Sequence, residues 1–128
     1  MEGTARTIRE DKETRVKYVL LIMDTPDEPA PQTPEWNAWY AEVGAWYEKW
    51  GATGRLDAGH QLQAPSTAKT VRAGGVTDGP FIETKEALGG FSVIDADSMD
   101  EAVDIAKTWP GVDRGWITIE LRPVLEMG

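Results

Sequence analysis

The chain has 128 residues, 41% of them hydrophobic and 27% charged, the balance of one folded domain rather than of a disordered segment. It contains no cysteine, which excludes disulfide scaffolds, zinc ribbons, iron–sulfur sites and thiol chemistry. Its 13 basic and 22 acidic residues leave a net charge of −9, the wrong sign for a free-standing nucleic-acid binder and unfavourable for adhesion to an anionic membrane.

Residues 1–15 are polar, mixed in charge and without periodicity, and read as a flexible N-terminal extension to a domain spanning 16–125. They lack the apolar stretch of a secretory signal, and no apolar run approaches the roughly 20 residues of a membrane span, so the expected location is the cytoplasm. Residues 16–23 form a nearly continuous apolar run rich in β-formers, the pattern of a buried central strand. Pro26, Pro29, Pro31 and Pro34 then impose a loop. Thr33 suits an N-cap and Pro34 the first helical position. From there Trp36, Trp39, Tyr40, Val43, Trp46, Tyr47 and Trp50 recur at spacings of three and four, one apolar stripe of a helix that Gly51 is expected to close.

Residues 55–63 read as a second strand with Leu56 and Leu62 as its apolar points. Residues 68–73 alternate as a third, and Gly74-Gly75 turns the chain into Val76-Thr77 as a hairpin. Asp78-Gly79-Pro80-Phe81 is a tight turn, and residues 83–86 read as a helical turn or as irregular chain. Residues 88–94 form a further strand whose Gly89-Gly90 signals a bulge. Ser98 and Glu101 make a capping box for a second helix, Pro110-Gly111 stops it, and residues 116–121 are a last strand ended by Pro123. This order is that of a split βαβ, a ferredoxin-like α+β sheet with an inserted β-hairpin.

The stretch from Thr77-Asp78-Gly79-Pro80-Phe81 to Leu88-Gly89-Gly90-Phe91-Ser92 resembles the DGPF group of the YCII-related family. The likeness extends over about residues 17–124, through Lys17-Tyr18-Val19-Leu20-Leu21-Ile22, Gly59-His60-Gln61-Leu62, Ser98-Met99-Asp100-Glu101 and Ile119-Glu120-Leu121-Arg122-Pro123. The resemblance implies a dimeric α/β barrel, in which two ferredoxin-like sheets pair as a homodimer. Some relatives are implied to be small enzymes acting on aromatic-derived acids or lactones, a dehydrochlorinase among them, through a histidine on the first helix with an aspartate partner. Others resemble accessory products associated with sigma factors. The first helix of this chain has no histidine, a departure from the enzyme pattern.

His60 is the single histidine, and it supports neither a metal cluster nor a helix-borne dyad. Imidazole can act as a general base near neutral pH, so His60 is either a base in a cleft or a strand histidine with an ordinary hydrogen bond. Asp78 either closes an Asx-turn on its own backbone or is a cleft carboxylate that orients His60 or accepts a substrate proton. Glu83, Lys85 and Arg72 form a charged rim for an anionic ligand or a solvated surface. Trp39, Trp46 and Phe81 offer walls for a flat aromatic or apolar ligand, against the alternatives of core and dimer interface. Asp95, Asp97, Asp100 and Glu101 lack the glycine and the spacing of a calcium loop. No cofactor is expected. Two function classes remain: a small-molecule-binding or regulatory accessory protein, and a cofactor-independent isomerase, lyase or dehydrochlorinase with His60 as base and Asp78 as orienter. The missing helix histidine favours the first.

Overall fold

The computed structural model describes residues 15–82 and 86–126. The expected N-terminal extension up to residue 14, and the candidate site residues Glu83 and Lys85, lie outside the described residues. Strand β1 (Val16–Asp24) leads into helix α1 (Pro34–Ala52), which Thr33 caps by accepting a hydrogen bond from Trp36 N. Strands β2 (Leu56–Gln61), β3 (Lys69–Arg72), β4 (Gly75–Asp78) and β5 (Ala87–Ala96) follow, then helix α2 (Met99–Lys107) and strand β6 (Ile117–Pro123). The main sheet has the order β2-β5-β1-β6, with every neighbouring pair antiparallel, and β3 and β4 form a separate two-stranded hairpin. This is the ferredoxin-like α+β arrangement with the hairpin inserted between β2 and β5.

One face of the sheet carries both helices. Tyr18, Leu20 and Ile22 of β1, Ile94 and Ala96 of β5 and Ile117 of β6 meet Trp39 and Trp46 of α1 and Ala102, Ile105 and Ala106 of α2 in one buried core. The tryptophans keep their indole N–H groups satisfied: Trp39 donates to Pro110 O at 2.9 Å and Trp46 to Thr108 Oγ1 at 2.9 Å. The other face shows Val19, Leu21, Phe91 and Val93, all half-buried, with no helix over them among the described residues.

Two details differ from the sequence reading. Helix α1 runs through Gly51 to Ala52, because Thr53 caps it and the left-handed residue that releases the chain is Gly54 (φ 75°). The alternation expected of β2 is broken by a bulge: Leu56 pairs with Ile94 and Ala58 with Val93, so Asp57 is an extra residue. A one-residue shift reverses the face of everything downstream, which decides where His60 points.

Candidate functional site

A cleft of about 270 Å³ opens between α1 and the helix-bearing face of β1, β5 and β2. An apolar cavity of roughly 150 Å³ suffices for benzene, so this space takes a single-ring molecule. Trp39, Tyr40, Val43, Tyr47, Trp109 and Ile22 form its walls, and glycines 59, 89 and 90 thin the sheet beneath it. The glycines are needed for clearance: a Cβ on Gly90 would stand 2.9 Å from His60 O, and one on Gly59 2.9 Å from Ser92 Oγ. On the floor, Ser92 Oγ and the Tyr47 hydroxyl meet at 2.7 Å, and Trp109 Nε1 donates to the same hydroxyl at 3.3 Å. Tyr40 is stacked on Trp36 with ring centroids 3.8 Å apart, and its hydroxyl accepts from Gln61 Nε2 across from α1 to β2.

The polar end of the cleft is Asp24, the last residue of β1. Its carboxylate lies over Gly89, where a Cβ would fall 2.2 Å from Oδ2. Gly89 is the extra residue of the expected bulge, since Ile22 pairs with Gly90 and Met23 with Leu88. Glu28 stands behind Asp24 and is hydrogen-bonded to it. The Thr25–Glu28 turn brings it there. Thr25 is buried and donates its hydroxyl to Gly115 O (3.0 Å) and Trp116 O (2.9 Å), while Glu28 N donates back to Thr25 O (3.4 Å). Two carboxyls side by side disfavour each other's ionisation, which raises the pKa of one of them. Burial, the adjacent Asp24 charge and the hydrogen bond to Asp24 push Glu28 up to about 7. Burial also raises Asp24, and the hydrogen bond from Glu28 opposes that rise. The pair therefore shares one proton through the weakly acidic range and titrates as a unit. Glu28 Oε2 is buried and has no hydrogen-bond partner among the described residues. Among the described residues no lysine or arginine lines the cleft.

The candidates read from the sequence are dispersed. Trp39 is a wall of the cleft, whereas Trp46 is buried in the core beside it. His60 borders the cleft through its backbone. After the Asp57 bulge its ring emerges on the opposite face of the sheet, against Phe91, its cross-strand partner, with ring centroids 5.9 Å apart. Asp78 lies at the end of β4 with its side chain 84% exposed, paired with Lys69 of β3. Among the described residues no hydrogen bond joins it to His60, and it does not border the cleft. A His60–Asp78 dyad is therefore not assembled within the chain, because the bulge and the protruding hairpin send the two side chains to different surfaces. Phe81 is 69% exposed and stacks under the Arg72 guanidinium at 4.8 Å, a contact with the hairpin and not with the cleft. Sequence reasoning missed Asp24, Glu28 and Tyr47. Asp24 closes an apolar strand and is followed four residues later by Glu28, a signal that the prolines of the loop concealed. Among the described residues no group of histidines and carboxylates is arranged to hold a metal ion, and no helix is long and apolar enough to cross a membrane.

The model of the YCII-related domain matches residues 16–128. An uncharacterised protein of Rhizobium meliloti is 36% identical over 87 residues, which are 65% of this chain and 70% of that protein. Among solved structures, the 5-chloro-2-hydroxyhydroquinone dehydrochlorinase of Burkholderia phenoliruptrix, in complex with 2,5-dihydroxybenzoquinone, superposes with a TM-score of 0.54 at 17% identity. That match covers 88% of this chain and 95% of the dehydrochlorinase, and at this identity it speaks for the fold.

Proposed function

Since the chain belongs to the YCII-related family, a membership that leaves its ligand open, we propose that it binds a small single-ring molecule in the α1–sheet cleft and holds a polar group of that molecule against Asp24. The observation that carries this reading is an aromatic-walled cleft ending in a carboxyl pair. Pockets of this composition, mostly apolar with few convergent polar groups, are the usual form of small-molecule sites. Phenol, un-ionised at neutral pH, is a suitable probe, and the tryptophans of the wall report its entry. Saturable quenching of tryptophan fluorescence by phenol, weakened about fivefold or more in Asp24→Asn, is the expected result for loss of one hydrogen bond to a charged group. Quenching without saturation up to the solubility of phenol rejects the reading.

A second reading, a cofactor-independent proton-transfer enzyme, is favoured by one observation: Glu28 holds its proton to about 7, in the range where a general acid or base works best. In it the proton passes through the Asp24–Glu28 pair rather than through His60 and Asp78. Hydrogen exchange next to the carbonyls of 1,4-cyclohexanedione in D2O, followed by NMR, tests it. Acceleration that Asp24→Asn abolishes supports catalysis, and no acceleration over buffer rejects it for this class of substrate.

Two finer points belong to the same proposal. Asp78-Gly79-Pro80-Phe81 fits the DGPF group within the family. A second copy of the chain covers the open sheet face, since Val19, Leu21, Phe91 and Val93 form an apolar surface of the kind an antiparallel sheet packs against a partner layer.

A further inference from the structure

The hydroxyls at the floor of the cleft determine where one proton goes. Ser92 is fully buried, and among the described residues its side chain has one hydrogen-bond partner, the Tyr47 hydroxyl at 2.7 Å. Trp109 Nε1, which can only donate, gives its proton to the same hydroxyl at 3.3 Å. If Tyr47 donated to Ser92, the serine proton would be left in a dry site with no acceptor, a desolvation cost with nothing to offset it. If Ser92 donates, the Ser92 proton and the Trp109 N–H both have an acceptor. Both lone pairs of Tyr47 are then engaged, and its own proton is free. Tyr47 is half-buried and lines the cleft, so that proton has the cleft as its outlet.

The second arrangement is the one the energetics select, and it makes Tyr47 a pure donor at one end of a space whose other end, Asp24, is an acceptor. Ser92 pairs with Leu20 and Asp24 with Ala87, so the two anchors are four residues apart along β1. That is about 13 Å at ~3.3 Å per residue. That strand separation, less two hydrogen bonds of about 2.8 Å each, leaves room for a single ring between the Ser92–Tyr47 end and the Asp24 end of the cleft. We propose that Tyr47 is the ligand-binding donor of this cleft and that the ligand is an uncharged ring carrying an oxygen acceptor, such as a carbonyl, on the side opposite a hydroxyl. The inference rests on the cleft reading above and adds the ligand's chemical class. An anionic ring is disfavoured, because Asp24 repels it and, among the described residues, no lysine or arginine lines the site.

Fluorescence titrations at pH 6 with 4-hydroxyacetophenone, 4-ethylphenol and 4-hydroxybenzoate test it. The ketone is expected to bind about fivefold more tightly than 4-ethylphenol, the effect of one hydrogen bond, and 4-hydroxybenzoate more weakly than either. Tyr47→Phe should erase the preference for the ketone over 4-ethylphenol. Ser92→Ala should keep it, since the Tyr47 proton remains free. Equal affinity for the ketone and 4-ethylphenol, or a preference that survives in Tyr47→Phe, overturns the assignment. Should Tyr47→Phe not fold, the carbonyl stretch of 4-hydroxyacetophenone bound to the wild type and to Ser92→Ala decides: a hydrogen-bonded frequency in both supports the donor, and a hydrocarbon-like frequency refutes it. Saturable binding of 4-ethylphenol without a ketone preference leaves the cleft reading standing and removes this inference alone, whereas no saturable binding of either phenol removes both.

Discussion

As the pH rises from the ordinary glutamate value of 4.5, an exposed glutamate loses its proton at the start of the range, and Glu28 keeps its own to about 7. The folded state therefore binds one more proton than the unfolded chain between those values. Stability supplied by the Glu28 proton is complete below about 4.5 and is lost as the pH climbs to about 7. Melting temperatures from pH 4 to 8 should show wild type losing stability through this window relative to Glu28→Gln, whose amide still donates to Asp24; parallel curves would refute the shared proton. Gly89→Ala is a second probe at the same scale. Its Cβ falls 2.2 Å from Asp24 Oδ2, so the carboxylate must swing away. The variant should weaken phenol binding and narrow the pH window while far-ultraviolet circular dichroism stays unchanged. Unaltered phenol affinity in a folded Gly89→Ala protein would show that the carboxylate position is not needed. None of this is written locally in the sequence. Glu28 reaches Asp24 because the Thr25 hydroxyl is held by the carbonyls of Gly115 and Trp116, about ninety residues further along the chain.

The elements were largely legible, for a reason that can be stated residue by residue. Ser98 accepts from Glu101 N at 3.1 Å, as the capping box requires, while the Glu101 carboxylate reaches back to Asp97 N at 3.1 Å and to Arg55. Burial alone would raise Glu101, but those hydrogen bonds, from the Asp97 N–H and the Arg55 side chain, and the nearby positive charges hold it below its usual value. Ser98→Ala should cost about 1 kcal/mol of unfolding free energy, as N-cap removals do. Chemical denaturation checks it, and a loss under a few tenths would show that Glu101 alone secures the helix start. The Trp stripe of α1 was equally readable, since a spacing of three and four admits one buried face. Its division of labour was not: Trp46 fills the core beside Ile105 and Trp109, and Trp39 both fills the core and walls the cleft. Trp46→Ala should therefore cost about 3–5 kcal/mol with little effect on the relative affinities of ring probes, provided the variant remains folded. The second strand was misread in one respect. Alternation from Leu56 puts His60 on the helix side, and the bulge at Asp57 reverses it. A bulge of one ordinary residue leaves no mark comparable to the Gly89-Gly90 pair, which did signal its own.

For the whole molecule, the four-stranded sheet has helices on one side and half-buried apolar residues on the other. If a second copy covers that side, Phe91→Glu should convert a dimer to a monomer in sedimentation velocity without lowering α-helical content; a wild-type protein that sediments as a monomer would dismiss the paired sheets. The hairpin of β3 and β4 stands apart, with Val71 76% exposed and Val76 62% exposed, and it takes Asp78 and Arg72 away from the cleft. The sequence by itself determined the element order, both N-caps, the bulge at Gly89, the ferredoxin-like fold and the family. Each of these depends on neighbours within a few residues or on a pattern repeated along the chain. The tertiary structure alone decided which side chains share a space. The cleft joins Asp24, Tyr47, Gly89 and Trp109 from four elements or loops, and their convergence follows from strand register and from one buried threonine hydroxyl. Such contacts arise from chain closure over long separations, and no local periodicity encodes them.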